Sequence, residues 1–128
     1  MPSKQRLDRI ANRIREVLSE MLILEVHDPR LNGVSITDVH VDRELAYADI
    51  YISAIEGQIR EQEILQGLES ATGFLRHSLS QRIELRTFPR LRFHWDPTPE
   101  RADHIERLLA SLRQNPTTGA SGNGNNEN

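Results

Sequence analysis

Residues 71–95 read ATGFLRHSLSQRIELRTFPRLRFHW and contain, in order, a glycine inside a helical pattern, an arginine-rich segment and a short strand. Apolar residues recur at helical spacing on both sides of the glycine, and this predicts helix over residues 59–83. Glycine in a helix interior costs about 1 kcal/mol relative to alanine. The triplet Ala71-Thr72-Gly73 therefore predicts a kink or a break that divides the segment into two middle helices.

The short strand is predicted at residues 90–95. It follows Pro89, where the missing backbone donor does least harm to strand pairing. Strict alternation places Leu91, Phe93 and Trp95 on one side of the strand and its basic residues on the other. The first side is expected to face the core, so the aromatic residues are predicted to be core residues.

Two further helices flank the central part of the chain. Residues 4–26 form an amphipathic pattern, with Ser3 as the expected N-cap. That helix is expected to end at Asp28-Pro29, since the residue before a proline is pushed out of the α region. A last helix is predicted to start at Thr98-Pro99. Its apolar face consists of Ile105, Leu108, Leu109 and Leu112.

A β-hairpin is predicted over residues 34–42 and 45–55. The alternation changes phase within its first strand, which predicts a bulge or a strong twist near Thr37-Asp38. The element order is thus α-β-β-α-α-β-α. A right-handed crossover would place the second and third strands parallel in one sheet. The predicted fold class is α+β: a three-stranded sheet with helices packed on one face.

Composition limits the classes of protein that the chain can belong to. Its 128 residues suit one modest domain, predicted over 1–113, and the Gly/Asn-rich residues 114–128 are predicted to be a disordered tail. The absence of cysteine excludes disulfides, thiol catalysis and cysteine–zinc sites. No apolar run approaches membrane-spanning length, and no signal-like segment follows the N-terminus. We therefore expect a cytoplasmic protein without membrane contact.

Charge is unevenly distributed along this acidic chain of net charge −3. Residues 1–15 carry five basic residues and one acid, and residues 70–95 carry the same numbers. Between them, residues 16–69 carry three basic residues and twelve acids. This pattern predicts a positive and a negative face, and a positive face favours a phosphate-rich partner such as RNA. The alternative is that long helices simply carry solvated charge.

Eight arginines of the two basic segments are the candidate RNA-contacting residues, because arginine binds phosphate in a planar, bidentate manner. Arg90 and Arg92 could instead merely occupy the solvent side of a sheet. No nucleophile–base pair, phosphate loop or metal cluster rises above chance, so neither catalysis, nor a cofactor, nor a metal is expected. The candidates are Arg6, Arg9, Arg13, Arg76, Arg82, Arg86, Arg90 and Arg92.

Three segments in this order resemble the bacterial ribosome-binding factor A family. They are EVHDPRL at 25–31, VSITDV at 34–39 with LAYADIYIS at 45–53, and ATGFLR at 71–76 with PRLRF at 89–93. The resemblance implies a type II KH-like fold in which an Ala-x-Gly kink, here Ala71-Thr72-Gly73, replaces the usual Gly-x-x-Gly loop. The family commonly has an acid at the position of Arg90, so this chain has a more basic strand.

The resemblance also implies a function. Family members are non-enzymatic assembly factors that bind ribosomal RNA of the small subunit, aid its late maturation and precursor processing, and are linked to growth in the cold. The expected partners are therefore the small ribosomal subunit and its RNA, bound by a monomer. Two alternatives stay open: a general KH-like module for single-stranded RNA, and a protein–protein adaptor that uses the acidic hairpin side. A nuclease is a distant third.

Overall fold

The structure, a computed structural model, describes residues 2–114. Its described residues divide into two compact units between Asp96 and Pro97. Except for Gln114, the predicted tail over 114–128 lies outside the described residues, and the single domain over 1–113 stays a prediction. The elements are α1 (Lys4–Leu24), β1 (Val34–Val41), β2 (Tyr47–Ala54), α2 (Glu61–Arg82), β3 (Arg90–Trp95) and α3 (Thr98–Gln114), with 3-10 turns at Pro29–Leu31 and Gln58–Arg60.

Helix α1 begins and ends where its sequence provides the signals. The Ser3 hydroxyl accepts a hydrogen bond from the Arg6 backbone N–H at 3.1 Å, which confirms the predicted N-cap. The helix ends at Leu24, and Asp28 then caps the following 3-10 turn by accepting from the Arg30 backbone N–H at 3.0 Å. Its apolar stripe is buried: Leu7, Ile10, Ala11, Ile14, Val17, Leu18, Met21 and Leu22.

The three strands form one sheet in the order β1-β2-β3. Strands β1 and β2 are antiparallel, and β2 and β3 are parallel, as the crossover rule predicts. The register of the hairpin shifts between Ile36 and Asp38, which confirms the predicted bulge. Strand β2 starts two residues later than predicted, because Leu45 belongs to the turn with a positive φ of 57°.

Helices α1 and α2 pack on one face of this sheet, mainly over β1 and β3 respectively. The predicted α+β class and three-stranded sheet are therefore confirmed. Leu91 is buried, and Phe93 and Trp95 are half-buried against the core, as their alternation predicts. The sheet contributes Ile36, Val39, Val41, Ala48, Ile50, Ile52, Ala54 and Leu91 to the core.

Helix α2 corrects one prediction. It runs without a break through Ala71-Thr72-Gly73, so the two predicted middle helices are a single helix of 22 residues. Glycine's penalty of about 1 kcal/mol is small beside the burial of four large aliphatic side chains on the same helix. The Thr72 hydroxyl donates to the Leu68 carbonyl at 2.8 Å, a contact that often bends helices without breaking them. The buried stripe is Ile64, Leu68, Leu75 and Leu79.

The second unit contains α3, which begins at Thr98 as predicted. The four residues of its predicted apolar face are each about half exposed or more. No helix in the described part of the chain is long and apolar enough to cross a membrane.

Candidate nucleic-acid interface

Three of the eight candidate arginines make close guanidinium hydrogen bonds within the described part of the molecule, at 3.1 Å or less, and the first is Arg76. Its Nε donates to the Pro89 carbonyl at 3.1 Å and its Nη2 to the Phe88 carbonyl at 2.5 Å. Both Phe88 and Pro89 are buried. The two hydrogen bonds of Arg76 therefore hold the loop between α2 and β3 against α2. The same loop contains Arg86.

Arg82 connects the ends of two helices. Its Nη2 donates to both carboxylate oxygens of Glu25, at 2.8 and 2.6 Å. Glu25 is the C-cap residue of α1, whereas Arg82 is the last residue of α2. About a third of each side chain is exposed to solvent. The ion pair neutralises the charge of Arg82, which the sequence analysis had predicted to contact RNA.

Arg92 forms a bidentate ion pair with Asp49 on the neighbouring strand. Its Nε and Nη2 donate to the two carboxylate oxygens at 2.8 and 3.0 Å, and its guanidinium lies 3.9 Å from the ring centroid of Tyr47. The hydrogen bond from Arg92 is the main cause that lowers the pKa of Asp49, and Asp49 in turn raises the pKa of Arg92. Both groups are therefore held in their charged forms.

The contacts among Arg92, Asp49 and Tyr47 lie on the side of the sheet opposite α1 and α2, which we call the open face. His94 lies 2.7 Å from Asp49 through its Nε2, and its ring stacks on Tyr51 with centroids 5.0 Å apart. The sequence analysis missed this cluster. Two sequence features indicated it, the alternation of side chains in β2 and the predicted parallel pairing of β3. The register that places Asp49 beside Arg92 could not be predicted from these features.

The other five candidates are exposed, and four of them form no ion pair among the described residues: Arg6, Arg9, Arg86 and Arg90. Arg13 makes a loose surface pair with Glu16 at 3.6 Å, of a kind that contributes little stability. These arginines keep their charge available to a ligand.

The available cations do not share one element. Three lie on α1, whereas the β3 group consists of Arg86, in the loop before β3, and Arg90, the first residue of β3. The basic residues therefore fall into two groups, one on α1 and one that leads into β3. RNA contact by either group stays a prediction. No set of three or more His, Asp or Glu residues suited to a metal ion occurs among residues 2–114.

Comparison with known proteins identifies the fold and the lineage. The sequence pattern of ribosome-binding factor A matches residues 6–109, from the first turn of α1 into α3. The chain belongs to the ribosome-binding factor A family. The matched segment includes both groups of available arginines and the Ala71-Thr72-Gly73 triplet.

Two relatives give the extent of the family likeness. The ribosome-binding factor A of Alcanivorax borkumensis is 45% identical over 109 residues, which cover 84% of this chain and 80% of the relative. That of Azoarcus sp. is 38% identical over 110 residues, with 85% and 87% coverage. The family likeness thus spans at least four fifths of this chain and of each relative.

Solved structures of family members have the same fold. The solution structure of a protein described as a putative ribosome-binding factor A from Thermotoga maritima matches with a TM-score of 0.64 at 27% identity, covering 73% of this chain and 90% of that one. Thermus thermophilus coordinates, fitted as a homology model into a map of a 30S complex, match with a TM-score of 0.55 at 25% identity, covering 65% and 87%. The KH-like fold predicted from the resemblance is confirmed.

Proposed function

We propose that this protein binds the ribosomal RNA of the small ribosomal subunit and assists late maturation of that subunit, including processing of the precursor RNA. The observation that carries the proposal is family membership over residues 6–109. The Thermus thermophilus relative, described as part of a 30S complex, supports the choice of partner.

The two basic residues that lead into β3 supply the chemistry for such binding. Arg86 and Arg90 are exposed and form no ion pair among the described residues, so each can exchange counterions for RNA phosphates. Arg76 holds the loop that leads from Arg86 to Arg90 through its bonds to two carbonyls. The loop is therefore ordered before RNA arrives, which lowers the entropic cost of binding.

The arginines of α1 form the second basic group. Arg6 and Arg9 lie in the first two turns of a helix whose other face is buried against the sheet. Phosphate contacts from two separated groups fix the orientation of a protein on RNA without reading its sequence. The protein would thus recognise the shape of a folded RNA, with higher affinity for the immature than for the mature subunit, since equal affinity would shift nothing.

Charge reversal at the β3 group tests this function. The double variant Arg86→Glu/Arg90→Glu should lose most of its co-sedimentation with free small subunits while its melting temperature stays unchanged. The matched control is Arg101→Glu, an exposed arginine of α3 that belongs to neither basic group. Undiminished binding by the double variant would refute the β3 site, and equal binding to free subunits and whole ribosomes would refute the assembly role.

Salt dependence and cell growth test the remaining parts of the proposal. Binding should weaken steeply with added salt, and the variants Arg6→Glu/Arg9→Glu and Arg86→Glu/Arg90→Glu should each reduce that slope. Cells that lack the protein should accumulate precursor RNA and grow poorly in the cold, and the Arg86→Glu/Arg90→Glu variant should fail to restore normal growth.

We further propose that the protein is a cytoplasmic monomer that needs no cofactor and catalyses no reaction. Sedimentation equilibrium of the purified protein checks its monomeric state.

A further inference from the structure

Four large aliphatic side chains lie exposed near the end of the sheet where β1 begins and β2 ends. Ile55 and Ile59, in the segment after β2, are 97% and 87% exposed. Ile23 and Leu24, in the last turn of α1, are 77% and 64% exposed. We call these four residues the aliphatic patch. Scattered apolar residues on a surface need no explanation, but a group of them marks an interaction site.

The two halves of the patch lie at the same end of the fold. Ile23 lines a cleft together with Val34, the first residue of β1. Val34 is the register partner of Ala54, and Ile55 follows directly in the chain. The cleft beside α1 and the segment that carries the exposed isoleucines are therefore neighbours.

Arg60 holds that segment in place. Its guanidinium donates to the Asn32 carbonyl at 2.7 Å and to the Arg30 carbonyl at 3.0 Å, so it ties the segment after β2 to the loop before β1. It also pairs with Glu56 and Glu63, and its side chain is only 14% exposed. Ile59, the neighbour of Arg60, is thus presented on an ordered backbone, and binding would cost little ordering entropy.

The charge around the patch is negative. Glu20 lies one helical turn before Leu24, and Ile59 shares a shallow cleft with Glu61 and Glu69. These three acids form no ion pair among the described residues. Such a surface repels RNA phosphates and attracts a basic partner that also offers apolar contact.

We infer that the aliphatic patch docks a basic protein of the small ribosomal subunit, through an apolar contact edged by Lys and Arg of the partner. The inference rests on the proposed function, since it takes its partner from the same subunit. It assigns RNA binding and protein binding to different surfaces of one small fold. Proteins that lie on RNA are rich in basic residues because they neutralise phosphates, so the acidic rim fits this class of partner.

Two binding substrates separate protein contact from RNA contact. The variant Ile55→Ser/Ile59→Ser is compared with wild type for binding to purified free small subunits and to ribosomal RNA stripped of protein. We expect about tenfold weaker binding to the subunits, in line with the loss of two aliphatic contacts, and unchanged binding to the bare RNA. The matched control is Leu108→Ser/Leu112→Ser, which removes two exposed leucines from α3 and should leave both affinities unchanged.

Other results would overturn the inference. Wild-type affinity of the patch variant for subunits would exclude a contact there, and equal weakening on bare RNA, with an unchanged melting temperature, would assign the patch to RNA. The Arg86→Glu/Arg90→Glu variant should instead weaken on both substrates, so failure of the RNA-binding proposal is recognised separately. A photo-crosslinking residue at position 59 provides a second measurement. A crosslink to a basic subunit protein supports the inference, whereas a crosslink to RNA, or none, refutes it.

Discussion

Arg92 and Asp49 are register partners across the parallel β2–β3 ladder, and two hydrogen bonds of 2.8 and 3.0 Å join their side chains on the open face. The pair reinforces the attachment of edge strand β3 to the central strand. His94 approaches the same carboxylate, so Asp49 is the common partner of two β3 side chains. Asp49 thus stabilises the strand whose first residue, Arg90, is proposed to contact RNA.

Replacing Asp49 with Asn should destabilise the protein by about 1 kcal/mol at neutral pH, as expected for a well-aligned but partly exposed ion pair. Arg92 lowers the pKa of Asp49 in the folded state. The stabilisation is therefore complete above the unfolded pKa of about 4 and is lost as the pH falls through the folded value. Urea unfolding from pH 7 down to pH 2 should show wild type and variant converging at the acidic end.

The surface pair of Asp103 and Arg107 on α3 provides the control for that experiment, since both side chains are more than 60% exposed. Asp103→Asn should change stability by less than about 0.5 kcal/mol at any pH. A constant difference between wild type and Asp49→Asn across the pH range would contradict the role assigned to the ion pair.

Two glycines of α2 should respond in opposite ways to alanine. A Cβ at Gly73 would meet no atom within 4 Å, so Gly73→Ala should stabilise the helix by about 0.5–1 kcal/mol. A Cβ at Gly67 would lie 2.9 Å from Leu31 Cδ2 and 3.3 Å from Arg30 Cβ, so Gly67→Ala should destabilise by about 1–3 kcal/mol. Thermal unfolding of the two variants measures both effects.

The variant Gly73→Ala also separates stability from function. If the glycine of the Ala71-Thr72-Gly73 triplet serves RNA binding through bending of α2, Gly73→Ala should bind small subunits more weakly although it is more stable. Loss of stability in Gly73→Ala would mean that the helix is strained at this position, contrary to the open space around it.

Arg60 should be one of the charged residues on which stability depends most. Arg60→Ala removes the partner of two loop carbonyls and two carboxylates, and we expect a loss of about 2 kcal/mol. Arg60→Lys should recover only part of it, because an ammonium cannot bridge all four groups. Chemical denaturation measures this, with Arg86→Ala as the control expected to stay within about 0.5 kcal/mol of wild type.

Arg76 should affect both stability and RNA binding. Its removal leaves the carbonyls of Phe88 and Pro89 without their donor, at a cost of about 1–3 kcal/mol, and loosens the loop that presents Arg86 and Arg90. Arg76→Ala should therefore lower the melting temperature and weaken subunit binding together. The variant Arg86→Ala/Arg90→Ala should weaken binding alone, and an unchanged melting temperature for Arg76→Ala would mean that the loop does not depend on it.

Local patterns predicted the sheet accurately. The bounds of β3 followed from Pro89 and six alternating residues, and the bulge near Asp38 followed from a change of phase. The parallel pairing followed from the handedness of crossovers, a rule that depends on element order alone. Gly73 misled the prediction for α2 because helix propensity is a weak preference that the buried residues of the same helix override.

The interface was harder to predict because its partners are distant in sequence. Arg82 and Glu25 are 57 positions apart, and Arg92 and Asp49 are 43 apart. Segment charge can indicate an excess of arginine, but it does not say which arginines the fold neutralises. Two tertiary relationships decide which arginines are neutralised: the register of β2 against β3, and the packing of the end of α1 against the end of α2. Neither can be read from the local spacing of residues.

The parallel pairing of β3 has a consequence for biosynthesis. Residues 34–54, which form the hairpin, leave the translating ribosome well before residues 90–95, so the nascent chain carries β2 with one edge unpaired. An open strand edge is a template for misassociation. A fragment that ends before Arg90 would therefore have an incomplete sheet and would be prone to aggregate. Native folding of this unit has to wait until Trp95 has been made.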